Sequence, residues 1–191
     1  ISMDFSFSSE QTLLQDSVER FIQNDYGFDQ RQKLTGSELG FSKEHWSHFA
    51  ELGWLGLPFA EEDGGFGGSA IDTMIVMEAF GKGLVVEPYV STVLMAGSAL
   101  AHAGTTAQKE GHLAAIIGGE AQASLAYIEP QARFNLNHVV TRAVPDGSDW
   151  VINGFKGVVL GAPSADLLIV SARTDGDEQA DEGITLFSVP A

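Results

Sequence analysis

Three groups of residues in this chain have types and spacings that could do chemistry. Gly65-Phe66-Gly67-Gly68-Ser69-Ala70 fits the G-x-G-x-x-A form of a dinucleotide fingerprint, in which small residues let main-chain N–H groups reach a pyrophosphate at a helix N-terminus. A helix follows it, but a fingerprint also needs a buried strand directly before its glycines. Here Pro58, Glu61, Glu62 and Asp63 stand there instead, and their negative charge opposes a phosphate. The loop therefore reads as an inter-helix connection, and a nicotinamide enzyme would require a strand ending at Asp63. His45 and His48 are three apart on a predicted helix, with no His-Glu-x-x-His or similar set, which points to a polar helix face and to no metal site. Glu61, Glu62 and Asp63 could serve acid/base work, but adjacent carboxylates in a glycine-rich loop are more often solvated. Neither a Gly-x-Ser-x-Gly elbow nor a Gly-Lys-Ser/Thr phosphate loop occurs. With no cysteine there is no disulfide, thiolate metal site or cysteine nucleophile, so redox chemistry would need a bound cofactor.

The elements that must position such groups change character along the chain. Up to about Gly119 the apolar residues recur at helical spacing. Ser8 and Gln11 form a capping-box pattern ahead of the stripe Leu14, Val18, Phe21 and Ile22. A second helix begins after Ser42, carries Trp46, Phe49 and Ala50, and stops near Gly53; a third follows Asp72 and ends near Gly81. A fourth starts around Tyr89, is rich in small residues and ends at Gly104, where Thr105 and Gln108 suggest another capping box. From about Gln122 short strand-like runs take over: 123–129, 139–144, 150–153, 158–160, 167–172 and 184–189. Pro145-Asp146-Gly147-Ser148 reads as a turn, and the polar run 174–183 as a solvated loop. Helices first and strands afterwards imply an α+β chain: an all-α helical domain over 1–120, then a β-barrel-like antiparallel domain over 121–191.

At 191 residues the chain can bury roughly 70% of its unfolded surface. No apolar run approaches the ~20 residues of a membrane span. The start shows no targeting signal, so Ile1-Ser2 ahead of Met3 reads as an expression scar and the cytoplasm as the default location. Ten basic against 26 acidic residues give a formal charge of -16, which repels nucleic acid and anionic membranes.

Two stretches carry a family resemblance. Leu52-Gly53-Trp54-Leu55-Gly56-Leu57-Pro58-Phe59-Ala60-Glu61-Glu62-Asp63-Gly64-Gly65-Phe66-Gly67 is similar to a loop between early helices of the acyl-CoA dehydrogenases, and Met77-Glu78-Ala79-Phe80-Gly81 resembles the helix after it. Ala126-Tyr127-Ile128-Glu129-Pro130 falls where that family has a Thr-Glu-Pro segment, and Asn153-Gly154-Phe155-Lys156 matches its Asn-Gly-x-Lys turn. The resemblance implies a helical domain, a β-domain and a C-terminal helical domain. It also implies FAD as the acceptor of a hydride from the β-carbon of an acyl-CoA. This chain looks like the first two domains. The family's catalytic base, a glutamate, belongs to the third, so no residue here inherits a catalytic role, and the chain is either a fragment or the remnant of proteolysis.

The departures from the family pattern concern the flavin. By motif position Tyr127, Ile128, Val158, Val159 and Leu160 fall at the cofactor and Phe134 at the substrate. Ile128 replaces a threonine that hydrogen-bonds the flavin ring. Arg133-Phe134-Asn135 replaces Gly-Ser-Asp, with a bulky ring that could fill the pocket. Val158-Val159-Leu160 replaces an aromatic-Ile-Thr/Ser triplet whose ring packs on the isoalloxazine. A lost hydrogen bond is worth about 1 to 3 kcal/mol and a lost aromatic contact about 0.5 to 1.5, so FAD binding by this half-site would weaken by roughly 3 to 6 kcal/mol, or ~100-fold to ~10,000-fold. Main-chain N–H groups near Tyr127 and Ile128 remain able to contact a flavin, and ordinary strand packing also accounts for the apolar side chains. Two readings stand. One is part of an FAD-dependent enzyme that acts on an acyl-CoA, including bulky or dicarboxylic acyl groups, and passes electrons to an electron-transfer-flavoprotein-type acceptor. The other is a non-catalytic assembly subunit of a homo- or hetero-oligomer, similar to the divergent small subunits of heteromeric members.

Overall fold

The computed structural model describes residues 6–191; Ile1-Ser2, read above as a scar, lies outside the described residues. Two compact units are present. The first reaches Pro88 and takes in Leu113–Glu120; the second comprises Tyr89–His112 with Ala121–Ala191.

In the first unit the capping signals form as read. Helix α1, Ser9–Asp25, opens on a capping box of Ser8 and Gln11. Helix α3, Lys43–Glu51, is capped by Ser42. Helix α4, Ala70–Gly83, begins two residues before Asp72, because Ser69 is the cap and Asp72 closes the box on the Ser69 N–H at 2.6 Å. The Ser69 hydrogen bond holds the Asp72 carboxyl below its ordinary range. Helix α2, Phe28–Thr35, was not legible in the apolar pattern, since it buries no residue. The core is an aromatic cluster. Phe49 stacks on Phe80 at 5.0 Å and meets Trp54 at 5.2 Å, while Phe21 meets Phe49 edge-on at 5.2 Å. Beside it the buried Glu87 accepts from Tyr26 Oη at 2.6 Å and from the Ser42 N–H at 3.2 Å, with His45 Nδ1 also at 3.2 Å. Burial and then Glu87 push the Tyr26 phenol up. His45 is thus an inward ring packed edge-on against Phe21, and only His48 lies on the polar face expected for both.

The glycine loop carries a short 3-10 turn, Glu61–Asp63, where a fingerprint would need a strand. Its N–H groups point inward. Gly65 donates to Ala60 O at 2.9 Å, Phe66 to Gly56 O at 3.1 Å, Gly67 to Phe59 O at 2.7 Å and Gly68 to Leu57 O at 2.8 Å. A Cβ on Gly65 would sit 2.2 Å from Phe59 O, and one on Gly68 2.6 Å from Leu57 O. The glycines let two main-chain segments touch, and the N–H groups of 65–68 are all taken by main-chain carbonyls.

The second unit opens with a π-helical segment, Val90–Gly97, that continues as α5, Ser98–Ala103. Thr92 fastens it to the sheet, donating to Ala123 O at 3.1 Å and accepting from Ala123 N–H at 3.3 Å. The strands are β1 Ala123–Ala126, β2 Arg142–Asp146, β3 Asp149–Asn153, β4 Leu167–Arg173 and β5 Ile184–Pro190. The α+β class holds, but the sheet is mixed where an antiparallel one was expected. β1 runs parallel to β4 along Leu167–Val170, β2 joins β4 in parallel at Arg173, and β3 and β5 pair antiparallel with β2 and β4. β4 is the hub, with β1 and β2 end to end on one edge and β5 on the other.

Three local expectations are corrected. Residues 158–160 form no strand; Gly161, at φ +78, turns the chain into the 3-10 segment Ala162–Ser164, and Val158 and Leu160 are too exposed to supply a buried face. The hairpin loop is Gly147-Ser148, with Gly147 at φ +64 as its first central residue, a II′ turn. Pro145 belongs to the ladder opposite Trp150, in a non-hydrogen-bonded pair where its missing N–H costs nothing. The loop 174–183 exposes its side chains but is pinned from beneath by Arg173.

Gly65→Ala is expected to lower unfolding free energy by about 1 to 3 kcal/mol through main-chain overpacking, measured by urea denaturation. A loop with room for the methyl group would leave the midpoint unmoved.

Candidate functional site

The residues of interest sit where β1 ends and before β2 begins. The chain leaves the sheet after Ala126, and three residues on, Glu129 is buried at 2% exposure. A carboxylate so far from water needs donors on both oxygens. Glu129 Oε1 accepts from Lys156 Nζ at 2.7 Å and from the Thr141 N–H at 3.1 Å, and Oε2 accepts from Gln131 Nε2 at 2.6 Å and the Val140 N–H at 2.8 Å. Lys156 also donates to Ser171 Oγ, on β4, at 3.0 Å. Burial pushes the Glu129 carboxyl up, but hydrogen bonds from Lys156, Thr141, Val140 and Gln131 outweigh it and bring it from 4.5 to about 2. The Glu129 carboxylate is held in its charged form, and the contact is built for architecture. Gly154 belongs to the same construction, because a Cβ there would lie 2.3 Å from Thr141 Oγ1.

This pair brings two sequence motifs together. The Gly157 N–H donates to Ile128 O at 2.8 Å, and Pro130 lies against Gly157. Ile128 and Gly157, the residue before 158–160, are therefore neighbours. Tyr127 and Ile128 are half-buried, and neither of their N–H groups has a protein acceptor among the described residues. Val158 and Leu160 are 63% and 52% exposed, and Val159 is half-buried. The combination offers two free main-chain donors beside an apolar wall. It fits a flat ring system through backbone and apolar contact, and neither Ile128 nor Val158-Val159-Leu160 supplies a side-chain hydroxyl or aromatic ring.

Phe134 is placed differently. It does not fill a pocket: it is 100% exposed on the loop between β1 and β2, next to Arg133 in the left-handed region at φ +51. Sequence reasoning missed the Glu129–Lys156 pair and Arg173. Both charges of the pair stood inside noticed motifs, and an acidic residue before a proline in an otherwise apolar segment was the available signal. Among the described residues no group of three or more His, Cys, Asp or Glu could hold a metal, and no helix is long and apolar enough to cross a membrane.

Comparison with known proteins places the chain among relatives. The profile described as acyl-CoA dehydrogenase, N-terminal domain, matches residues 8–120, and that described as acyl-CoA dehydrogenase, middle domain, matches 124–191. The chain is 31% identical over 191 residues to the probable acyl-CoA dehydrogenase YngJ of Bacillus subtilis, covering 98% of this chain and 50% of that protein. It is 31% identical over 185 residues to the mitochondrial isovaleryl-CoA dehydrogenase of Pongo abelii, covering 95% and 44%. Among solved structures it is similar to the FAD complex of PigA (27% identity, TM-score 0.86, 99% of this chain and 50% of that one). It is also similar to the Tcur3481-Tcur3483 steroid ACAD (29%, 0.83, 98% and 49%). The chain thus spans about half the length of the curated relatives it matches.

The Glu129 shift fixes a pH dependence. Its folded carboxyl is depressed, so its contribution, on the order of 3 kcal/mol, is fully present above about pH 4.5 and is lost as pH falls through about 2. Glu129→Gln is expected to remove that acid-side slope and, by stranding Lys156, to cost about 3 to 5 kcal/mol at neutral pH. Denaturation midpoints between pH 2 and 7 for both proteins check it; parallel curves would refute it.

Proposed function

The chain belongs to the acyl-CoA dehydrogenase family, and from that premise we propose that it is the N-terminal and middle portion of a subunit of an FAD-dependent enzyme that desaturates an acyl-CoA thioester between its α and β carbons. The observation that carries the reading is the Glu129–Lys156 contact at 2.7 Å, which sets Tyr127-Ile128 beside Val158-Val159-Leu160. In this reading those five residues would hold the flavin ring, the N–H groups of Tyr127 and Ile128 as donors and Val158 and Leu160 through apolar contact. FAD supplies the hydride-accepting chemistry when bound. The residues of this chain orient the ring and exclude water from it, and Phe134 stands on the substrate side. No catalytic base is assigned within 6–191.

The half-site is weakened, because Ile128 brings no hydroxyl and 158–160 bring no ring. A second reading, a non-catalytic assembly subunit, is favoured by one observation: Phe134, Leu136, Phe155, Val158 and Leu160 are all exposed on the same unit, a large apolar share for a free surface. In that case another acyl-CoA dehydrogenase-type subunit carries the working flavin, and this chain supplies scaffold and interface. An oxidised electron-carrier flavoprotein as acceptor belongs to the first reading.

The test is to purify the full-length protein alone and together with a candidate acyl-CoA dehydrogenase-type partner subunit, and to titrate FAD into each. Flavin absorbance is expected only in the joint preparation. Ile128→Thr in the lone protein is expected to tighten FAD about fivefold, the worth of one hydrogen bond. Stoichiometric FAD retained by the unaltered lone protein would remove the weakened half-site, and its absence from both preparations would remove the flavoenzyme reading.

A further inference from the structure

Arg173, the last residue of β4, is 0% exposed and has no carboxylate partner among the described residues. Main-chain oxygens meet its guanidinium instead. Nη1 donates to Ala180 O at 3.1 Å and Glu182 O at 2.6 Å, and Nη2 donates to Asn137 O at 2.6 Å and Glu178 O at 3.1 Å. Nε has no acceptor. A cation buried this deeply needs compensation, and here carbonyl dipoles provide it. The carboxylates of Asp175, Asp177, Glu178, Asp181 and Glu182, on residues that are all exposed, take no part in binding the guanidinium.

The oxygens come from two different loops. Ala180, Glu182 and Glu178 belong to the acidic loop 174–183, and Asn137 to the loop that carries Phe134 and Leu136. Two more bonds join the loops: the Val139 N–H donates to Glu178 O at 2.9 Å, and Asn137 Nδ2 donates to Asp181 Oδ1 at 2.6 Å. Phe134, fully exposed, has no packing of its own to hold it. Its place is set by the backbone beneath it, which is fixed at one end by Glu129 and at the other by Arg173. A lysine could not do this, since a single ammonium cannot present the planar fork that spans both loops.

We infer that Arg173 is a positioning residue that makes the acidic loop and the Phe134 loop one mechanical unit, so that the placement of Phe134 and Leu136 is governed from residues 174–183. The coupling stands apart from the flavin reading, and its test uses no cofactor.

The experiment is hydrogen exchange by mass spectrometry on the full-length protein, with tryptic cleavage after Arg133 as a second local readout, both well below the unfolding transition. In Arg173→Lys, exchange over 131–140 and over 174–183 is expected to accelerate together by about tenfold or more, the equivalent of one charge-assisted hydrogen bond. Amides of β1, β4 and the first unit should keep their rates. Faster exchange confined to 174–183, or spread in proportion over the whole second unit, overturns the inference, the latter because a general loss of stability would explain it. Gly183→Ala tests the coupling with Arg173 intact: Gly183 is at φ +89 and a Cβ there would meet Asp175 O at 2.2 Å, which distorts the acidic loop alone. Cleavage after Arg133 should speed up in that variant too, and an unchanged rate refutes the coupling.

Discussion

A single buried ion pair determines how the strand unit closes. β4 needs partners on both edges, yet one edge is shared by two short strands, β1 and β2, that approach it from separate parts of the chain. Between them the backbone must leave the sheet after Ala126 and rejoin it at Arg142. Glu129 sits in that gap and accepts from the returning Val140 and Thr141 amides, while Lys156 arrives from beyond β3 and reaches on to Ser171 in β4. One carboxylate thereby replaces the ladder bonds that a continuous strand would have made. Two opposite charges out of water would be a poor source of stability by themselves. Their value here lies in fixing where three segments meet, beside the N–H groups of Tyr127 and Ile128 that have no protein acceptor among the described residues.

The first unit follows a different constraint, the close approach of backbone to backbone. In the glycine loop, four consecutive N–H groups turn back to the carbonyls of 56–60, and at Gly65 and Gly68 a Cβ would collide with those carbonyls. A pattern that in another setting would cradle a phosphate here folds back on the segment before it, ahead of α4. The same local sequence is compatible with both outcomes, and the preceding 3-10 turn, in place of a strand, decides between them.

Much of the helical half was legible because its signals are local. The Ser8 and Thr105 capping boxes and the Trp46–Phe49 stripe each act within one or two turns, and they formed where they were read. α2 was invisible because nothing in it is buried, and the π-helical start of α5 because an added residue per turn leaves no mark on composition. The strand half was harder. Val158-Val159-Leu160 has strand composition but no ladder to join, and the parallel pairing of β1 and β2 with β4 depends on contacts far apart in sequence. The site was readable as motifs and unreadable as geometry: Glu129 and Lys156 lie 27 residues apart, a spacing that carries no signal until the sheet assembles.

The arrangement around β4 also bears on how the protein avoids associating with itself in the wrong way. Leu167-Leu168-Ile169-Val170 is the kind of uncharged, β-prone segment that seeds intermolecular cross-β stacking when one of its edges stays open. With β5 along one side, and β1 and β2 laid end to end on the other, only Ser171 and Ala172 lack a neighbour on that second side. This aggregation-prone stretch is thus sequestered once its neighbours dock, and a newly made protein is most vulnerable to misassembly through it in the interval before they do.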